Sequence, residues 1–316
     1  MSRNIAIISD VHGNYPALMK ALIGAKIQGA DGYIFAGDYC LSGAWPDKCI
    51  EVLREIPNAK IIRGNEEAYI ERLIGGDQST WTDGQMQISY WNYRNIKEEN
   101  RDFVLGLPHK LQFDCNGVRV NVAHSSAEFL GDLEFGLFGP AVLAKHYENN
   151  VTITPEQLQE YIQNILDGDE AFQKKVYELE DGIYIFGHSH VQWSYLAKGG
   201  KVLLINPGSC GLPLDGVRDT VPFSMLKIEE DGSFAVSQKR PKFGVEEYAE
   251  LLKQSGQYAE ARVWTEVILK ELLTGREHLT FFLQFADRYA TSIGDSVRPF
   301  TVKTWEAAYE EWCRTL

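Results

Sequence analysis

The stretch that decides the fold class is IAIISDVHGN at residues 5–14. It begins as a short apolar run that ends in a polar turn, which is typical of a buried strand. A helix is predicted next, because Asn14 can cap it and Pro16 suits its first turn. Residues 33–36 and 60–63 predict two further strands, with another helical pattern between them. This alternation predicts parallel strand pairing with helices covering the sheet.

The rest of the chain divides into an α/β part and a helical tail. Residues 66–105 and 138–180 show mostly helical patterns. Further strands are predicted at residues 110–113, 118–123, 183–186, 202–205, 222–228 and 233–238. After residues 240–242 the pattern changes to three or four amphipathic helices without a clear strand. We therefore predict one domain at residues 1–242 and a C-terminal helical extension at residues 243–316.

Composition limits the classes of partner. The chain has 316 residues, with 31 Lys and Arg against 44 Asp and Glu and a formal net charge of −13. This acidic balance argues against non-specific binding to nucleic acid and to anionic membranes, both of which need a cationic surface. No apolar run approaches the roughly 18 residues of a membrane span, and the N-terminal run is too short for a signal peptide. Five widely spaced cysteines without a CxxC pattern predict reduced thiols and a cytoplasmic location.

Polar side chains follow five of the predicted strands at the point where each strand ends. They comprise four imidazoles, two carboxylates and one carboxamide: Asp10, His12, Asp38, Asn65, His124, His188 and His190. Open α/β sheets bind their ligands at the carboxyl ends of the strands, so these side chains are expected to converge on one crevice. Taken singly, each motif has an ordinary explanation, such as a surface turn, a helix cap or a buried histidine. Their joint occurrence at successive strand ends favours a shared site.

This donor set suits transition metals. Nitrogen and oxygen donors of these types fit Mn, Fe, Zn or Ni, and of these we favour Mn or Fe. Seven protein ligands exceed what one such ion takes, so the set predicts two divalent or trivalent metal ions. The spacings Asp10-x-His12 and His188-x-His190 support this, since alternate side chains of an extended or turn segment point to the same side.

The order of these motifs resembles that of the calcineurin-like metallophosphoesterases, whose pattern is DxH, GD, GNH(E/D), H and GHxH. The resemblance covers about residues 4–240. The NPGS turn at residues 206–209 is similar to that of the smaller prokaryotic phosphodiesterases of the superfamily. The resemblance implies a four-layer α/β/β/α sandwich of two mixed sheets, to which this chain adds its C-terminal helical extension.

The resemblance also implies roles for individual residues. It implies a first metal site formed by Asp10, His12 and His190, and a second formed by Asn65, His124 and His188. Asp38 would be the carboxylate that bridges the two sites. A hydroxide bridging both metals would attack phosphorus in line, because two cations lower the pKa of a shared water and offset the charge of the leaving group. Asp38, Asn65 and His124 are therefore the candidate catalytic residues, and the expected partner is a small phosphorylated substrate such as a nucleotide.

One residue departs from the superfamily pattern. Glu66 follows Asn65 where most of the superfamily has a histidine that protonates the leaving group or stabilises the phosphoryl oxygens. A glutamate with a pKa of about 4.3 is ionised at neutral pH, so it has no proton to give and repels phosphate. We therefore predict hydrolysis of phosphodiesters or nucleotide phosphoanhydrides rather than phosphomonoesters. Asn14, Asn65 and Glu66 are the candidate substrate contacts, although helix capping explains Asn14 equally well.

Other functions remain open at this point. A Ser/Thr phosphoprotein phosphatase or phosphomonoesterase is one, although no clear pair of arginines accompanies the motifs. A non-catalytic metal-binding scaffold is another, and Glu66 is the only feature that favours it. The helical extension would either shape the mouth of the active site or form a surface for a second copy or a partner. A cluster of aromatic residues would either pack in a helical cap or stack a nucleobase: Trp81, Tyr90, Trp91 and Tyr93.

Overall fold

The computed structural model describes residues 1–147 and 152–315. In chain order its strands are β1 (Arg3–Ile8), β2 (Gly32–Phe35), β3 (Lys60–Ile61), β4 (Lys110–Cys115), β5 (Val118–Ala123), β6 (Gly182–Ile185), β7 (Gln192–Ala197), β8 (Val202–Pro207), β9 (Phe223–Ile228) and β10 (Phe234–Lys239). They form two five-stranded sheets with the orders β10-β9-β1-β2-β3 and β4-β5-β6-β8-β7. Both sheets are mixed, and parallel pairs join β1 to β2 and β5 to β6. The carboxyl ends of these paired strands therefore share an edge in each sheet.

Helices cover the outer faces of both sheets. Ten of them precede β6: α1 (Tyr15–Ile27), α2 (Pro46–Glu55), α3 (Glu67–Glu71), α4 (Gln87–Asn95), α5 (Glu98–Leu105), α6 (Ala127–Leu130), α7 (Leu133–Phe138), α8 (Pro140–His146), α9 (Pro155–Gly168) and α10 (Glu170–Glu178). Leu18 of α1 and Ile50 of α2 pack with Phe35 in one buried cluster on the first sheet. Ile162 of α9 packs with Trp193 in a second cluster on the second sheet. Among the described residues, no helix has the length and apolar character needed to span a bilayer.

The inner faces of the two sheets form an apolar layer between them. Ile7 and Ile34 of the first sheet and Val120 and Ile185 of the second belong to one buried cluster. Full burial of an aliphatic side chain contributes about 1.5–3 kcal/mol, so this layer is a major stabilising element. The layers therefore follow the order helix, sheet, sheet, helix, which confirms the predicted four-layer α/β/β/α sandwich.

Nine of the ten strands coincide with predicted segments, and β7 is the exception. Trp193 and Tyr195 of β7 are buried, as expected for one face of a strand, but the opposite face carries Leu196, which is 58% exposed. This exposed leucine hides the alternation of apolar and polar residues on which strand prediction depends. Of the predicted helical segment 138–180, residues 148–151 lie outside the described part of the chain.

The tail consists of five helices: α11 (Val245–Lys253), α12 (Gly256–Glu260), α13 (Arg262–Thr274), α14 (Leu279–Ser292) and α15 (Val302–Arg314). The sequence predicts three or four, because five-residue α12 is too short to show a periodic pattern. Val267, Phe282 and Trp305 belong to a core shared by α13, α14 and α15. Ile268 packs with Leu214 of the loop after β8, which places α13 and α14 beside the strand-end loops. The division of the chain into two domains stays a prediction.

Candidate metal centre

The loops that follow β1, β2, β3, β5 and β6 meet at one edge of the sandwich. Neighbouring loops are tied by backbone hydrogen bonds, from Asp10 N to Gly37 O at 3.0 Å and from Gly187 N to His124 O at 2.8 Å. The structure thereby brings together all the residues expected from the sequence to bind metal: Asp10, His12, Asp38, Asn65, His124, His188 and His190. Their convergence is a property of the fold, and their role as ligands stays a prediction.

Asp10, His12 and His190 form the first cluster. Their candidate ligand atoms all lie within 4.8 Å of one another. The Nε2 atoms of His12 and His190 are 2.9 Å apart, and Oδ1 of Asp10 lies 3.5 Å from Nε2 of His190. The carboxylate of Asp10 also accepts from the backbone N–H of His188 at 3.1 Å, which fixes its orientation.

Asp38, His124 and His188 form the second cluster, with the same 4.8 Å limit on the separation of their ligand atoms. Nε2 of His124 lies 3.1 Å from Oδ2 of Asp38 and 3.0 Å from Oδ1 of Asn65. Nε2 of His124 is also 4.0 Å from Oδ1 of Asp10 in the first cluster. The two clusters are therefore adjacent, and both follow the grouping implied by the family resemblance.

The outward ring nitrogens of two histidines are bonded to backbone carbonyls. Nδ1 of His124 lies 2.7 Å from the carbonyl oxygen of Ala36, and Nδ1 of His190 lies 2.8 Å from that of Leu212. Because a carbonyl oxygen only accepts hydrogen bonds, each Nδ1 carries the proton and donates it. Nε2 of neutral His190 consequently presents a lone pair to the cluster. Nε2 of His124 does so once that ring has lost its second proton.

The spacing of the ligand nitrogens is compatible with a shared cation. The Nε2 atoms of His12 and His190 are 2.9 Å apart, a distance that suits either a hydrogen bond between the rings or the binding of one ion by both. A metal–imidazole bond is about 2.0–2.1 Å long, so neighbouring nitrogens around one ion are separated by about 3 Å. The donor types and this spacing fit a divalent metal ion.

Glu66 contacts the imidazole of His12. Oε2 of Glu66 lies 2.8 Å from Nδ1 of His12, the nitrogen that faces away from His190. A carboxylate in this position fixes the orientation and tautomer of a ligating histidine and increases its basicity. Glu66 is therefore bonded to a candidate metal ligand as well as being part of the cavity wall.

Two buried side chains that the sequence analysis did not single out hold these loops in place. Glu67 accepts from the backbone N–H groups of Tyr39 and Gly64, both at 2.8 Å, and so joins the loops after β2 and β3. Ser209 of the NPGS turn donates to the carbonyl oxygen of Asp10 at 2.7 Å. Glu67 stands at the acidic position of the GNH(E/D) pattern, and this is the sequence signal that could have found it.

The backbone of the centre is strained. Five of the predicted ligands have positive φ angles: Asp10 (52°), His12 (49°), Asp38 (56°), His188 (70°) and His190 (59°). Such left-handed conformations cost residues other than glycine about 1–2 kcal/mol each. They persist because the surrounding hydrogen bonds impose them, and their concentration at one place is typical of functional sites.

Two glycines permit the close approach of these loops. A Cβ atom on Gly64 would lie 2.0 Å from Oδ1 of Asp38. A Cβ atom on Gly187 would lie 2.0 Å from Oγ of Ser9 and 2.3 Å from Oδ2 of Asp10. Any larger residue at either position would therefore displace a candidate metal ligand.

Burial controls the protonation of the centre. It lowers the pKa of His188 to about 4 and that of His190 well below its usual value, so both rings are neutral at pH 7. It raises the pKa of Asp10 to about 6 and that of Glu66 to about 7. Burial also opposes the ionisation of Asp38, but neighbouring His124 outweighs it, and the pKa of Asp38 is lowered. Burial opposes the protonation of His12 and His124, but the neighbouring carboxylates Glu66 and Asp38 outweigh it and raise the pKa values of these rings to about 9 and about 10. Because metal ions bind neutral imidazoles, metal binding must displace a proton from each of these two rings.

A cavity of about 310 Å³ opens onto the two clusters. Asn65 and Glu66, two of the predicted substrate contacts, line it. Asn14, the third, is not among its described lining residues. The side chain of Asn14 accepts from Ala17 N at 3.1 Å, which caps α1, and donates to Gly211 O at 2.9 Å. Both ends of this amide are thus bonded within the protein, and the geometry assigns it a capping role.

The cluster of Trp81, Tyr90, Trp91 and Tyr93 lies outside the described lining of the cavity. Trp81 stacks on Tyr90 with ring centroids 4.8 Å apart and meets the edge of Tyr93 at 5.3 Å. Tyr90 and Trp91 are buried, and none of these four aromatic residues is among the described residues that line the cavity. The contacts favour packing over the stacking of a nucleobase.

The sequence analysis missed one wall of the cavity, which is formed mainly by the tail: Ile268, Glu271, Glu277, Leu279, Thr280 and Leu283. Phe135 of α7 also lines the cavity, and its ring centroid lies 5.2 Å from that of His188. No motif marks these residues, because their place beside the centre depends on how α13 and α14 pack. The tail therefore shapes the site. This agrees with the expectation that the helical extension lies at the mouth of the site.

Comparison with known families assigns the class of this protein. The model of the calcineurin-like phosphoesterase superfamily domain matches residues 4–231. The chain belongs to this superfamily, and it is a phosphoesterase of the metal-dependent type. Membership implies divalent metal ions, in agreement with the clusters of candidate ligands.

Individual proteins and solved structures are also similar to this chain. The uncharacterized protein MJ0912 of Methanocaldococcus jannaschii is 26% identical over 227 residues, which are 67% of this chain and 78% of that protein. A metallophosphoesterase from Sphaerobacter thermophilus has 21% identity and a TM-score of 0.53, covering 86% of this chain and 99% of that chain. The hypothetical protein PH1004 from Pyrococcus horikoshii has 17% identity and a TM-score of 0.56, covering 87% and 99%. The two solved structures show that the fold is shared.

Proposed function

We propose that this chain is a dinuclear metal-dependent hydrolase of phosphodiesters or nucleotide phosphoanhydrides. The observation that carries the proposal is the pair of adjacent clusters, Asp10–His12–His190 and Asp38–His124–His188, which open onto one cavity. Each cluster supplies imidazole and carboxylate donors of the kind that bind Mn, Fe, Zn or Ni, with Mn or Fe favoured.

Asp38 has the central position among the proposed metal ligands. Asp38 belongs both to the second cluster and to a group with His12 and Glu66, so its carboxylate lies between the two candidate sites. Oδ1 of Asp38 accepts from the backbone N–H of Glu66 at 2.9 Å, which holds it there. When bound, two metal ions would supply an activated water and neutralise the charge of the phosphoryl oxygens.

The position of Glu66 bears on the substrate class. Burial raises the pKa of Glu66 to about 7, so this carboxyl is not fully ionised at neutral pH, contrary to the premise drawn from the sequence. Its Oε2 is nevertheless bonded to Nδ1 of His12, which engages it with a candidate metal ligand rather than leaving it free as a proton donor. A phosphate, nucleotide or phenol leaving group needs no proton, whereas a simple alcohol does. The geometry therefore supports phosphodiesters and phosphoanhydrides over phosphomonoesters of alcohols.

The proposal extends to cellular location. We propose that the protein acts in the cytoplasm. The five cysteines are all free thiols, three of them buried, and they form no disulfide among the described residues. Thiols in that state are typical of a reducing compartment.

Hydrolysis of bis(p-nitrophenyl) phosphate by metal-stripped protein re-supplied with Mn²⁺ tests the proposal. We expect turnover that depends on Mn²⁺ and exceeds the turnover of p-nitrophenyl phosphate. Asp38→Asn removes the central carboxylate and should lower activity by more than about 100-fold, beyond the 10–100-fold effect of outer-shell changes. Asp181→Asn is the matched control, because exposed Asp181 pairs only with lysines near the opposite end of β6.

Metal analysis of the same samples separates the alternatives. Two Mn²⁺ ions per chain with turnover lost in Asp38→Asn would support a dinuclear hydrolase. One ion per chain would contradict the dinuclear proposal. Two ions without turnover of either ester would favour a metal-binding protein that does not catalyse, and a clear preference for the monoester would contradict the proposed substrate class.

A further inference from the structure

The cavity continues from the metal centre to the C-terminal helices. At one end lie His12, Asp38 and His188, and at the other end lie residues of α13 and α14. Because one space of about 310 Å³ joins the two, a phosphate held at the clusters places its ester group against the helices. Helices α13 and α14 therefore contact the part of the substrate that differs between phosphate esters. We call the cavity-lining residues of these helices and their connection the helical wall: Ile268, Glu271, Glu277, Leu279, Thr280 and Leu283.

Three of the six residues of the helical wall are apolar. Ile268 belongs to α13, and Leu279 and Leu283 lie one helical turn apart on α14. Phe135 adds an aromatic surface from the second sheet's helices. An apolar group removed from water against such surfaces gains about 25 cal/mol per Å². The wall therefore stabilises an ester group with apolar surface.

The charged residues of the helical wall are two carboxyl groups. Glu271 is 1% exposed, and its Oε1 accepts from the backbone N–H groups of His278 and Leu279, both at 2.8 Å. Glu277 is 9% exposed and lies next to it. Burial, and then the charge of Glu277, raise the pKa of Glu271 well above its usual value. The two carboxyl groups thus lie side by side in the helical wall.

The described lining of the cavity offers these carboxyl groups no basic counterpart, since none of its residues is Lys or Arg. A substrate with several phosphates would place its second phosphate beyond the metal centre, where it would contact apolar groups and a pair of carboxyl groups. Desolvating an anion there without a partner is costly, and repulsion between like charges in a site with low dielectric adds to that cost.

We propose that the helical wall selects phosphodiesters with a single phosphate and an uncharged, largely apolar ester group, and that it rejects phosphoanhydrides. This inference rests on the proposed hydrolase function and narrows it. In the reaction, water adds its oxygen to phosphorus and the P–O bond to the departing ester group breaks. One water proton ends on the departing oxygen and the other on the monoester product, so atoms and charge balance.

The test adds a cation to the helical wall. Thr280 is exposed on α14 and lines the cavity, so Thr280→Lys places a positive charge there without disturbing the core. Thr291→Lys is the matched control, since Thr291 is exposed on the same helix about 16 Å further along, at 1.5 Å per residue. Both variants and the wild type are assayed with Mn²⁺ on bis(p-nitrophenyl) phosphate and on diadenosine tetraphosphate.

We expect the wild type to favour the diester at least tenfold in kcat/KM. In Thr280→Lys the ratio of diester to anhydride turnover should fall about tenfold, whereas Thr291→Lys should leave it within twofold. A wild type that favours diadenosine tetraphosphate would overturn the proposal. So would equal ratios in the two lysine variants.

Binding of unreactive analogues keeps this test separate from that of the hydrolase function. Diphenylphosphinate carries one phosphorus and two apolar groups, and adenosine 5′-(α,β-methylene)diphosphate carries two phosphates. Calorimetry on Mn²⁺-loaded protein should show tighter binding of diphenylphosphinate and a shift towards the diphosphate analogue in Thr280→Lys alone. If this pattern holds without turnover, the helical wall proposal stands and the hydrolase proposal fails. Tighter binding of the diphosphate analogue by the wild type would refute the proposal in either case.

Discussion

The metal centre and the helical wall face the same cavity but arise in different ways. The candidate ligands lie between residues 10 and 190, and each follows a strand within a short motif. The helical wall comes from residues 268–283, which carry no motif. Strand-end loops at the centre are strained, glycine-dependent and cross-linked by hydrogen bonds. The wall consists of ordinary helices held by apolar contacts.

This difference separates chemistry from selectivity. A metal centre tolerates little movement, because each donor atom must reach the same ion, and its residues are therefore specified one by one. A helical wall needs only the right shape and charge, so many sequences can build it. Under the proposals made above for this chain, the reaction class is encoded in the loops after the strands, and the choice of ester group lies with the tail.

The largest expected effect comes from Gly187→Ala. The new Cβ would meet Oγ of Ser9 at 2.0 Å and Oδ2 of Asp10 at 2.3 Å. Overpacking costs about 1–3 kcal/mol of stability, and a displacement near 1 Å at a reacting centre costs about 100-fold in rate. We expect kcat/KM for bis(p-nitrophenyl) phosphate to fall by at least that factor, together with weaker Mn²⁺ binding.

Gly168→Ala provides the control for this prediction. Gly168 is exposed at the end of α9, and a Cβ there meets no atom within 4 Å. Its activity should match that of the wild type, and its stability should be equal or slightly higher because alanine favours helices. An unchanged Mn²⁺ affinity in Gly187→Ala would show that the metal centre tolerates such a displacement. That result would contradict the contrast between a tightly constrained centre and a tolerant helical wall.

The next effect in size concerns Glu66. Glu66→Ala removes the acceptor of Nδ1–H of His12, and loss of such a partner typically weakens metal binding 10–100-fold. Glu66→Gln keeps a carbonyl oxygen in the same place and should restore much of the affinity. Calorimetric titration of metal-stripped protein with Mn²⁺ measures this directly. Equal affinities in the wild type and in both variants would mean that Glu66 does not position His12.

The smallest effect is expected in the helical wall. Leu283→Ala removes apolar surface from the cavity and should raise KM for bis(p-nitrophenyl) phosphate about threefold to tenfold, within the range of apolar contacts in binding pockets. Mn²⁺ affinity should stay unchanged. Trp81→Ala truncates a larger side chain outside the described cavity lining, and KM should stay within twofold of the wild type while the Tm falls. A change of KM in Trp81→Ala but not in Leu283→Ala would assign selectivity to the aromatic cluster instead.

The fold was largely predictable because its signals are local. Nine strands show a short apolar run or alternation between turns, and both remain visible in one sequence. Strand β7 was not predicted because exposed Leu196 occupies its outer face. The fifth helix of the tail was not predicted because α12 has only five residues. In each case the segment lacks the periodic pattern on which prediction from the sequence depends.

The resemblance to a known family implied the sandwich, and the sequence by itself determined nine of the ten strands and the group of residues that converge at the strand ends. It could do so because a parallel strand must end where its neighbours end, so residues that follow the strands meet whatever the rest of the chain does. Only the tertiary structure decided that Glu66 bonds to His12 and that Asn14 serves as a cap. It also placed the helical wall over the metal centre, since packing between segments more than 70 residues apart depends on the shapes of surfaces that form only when the chain folds.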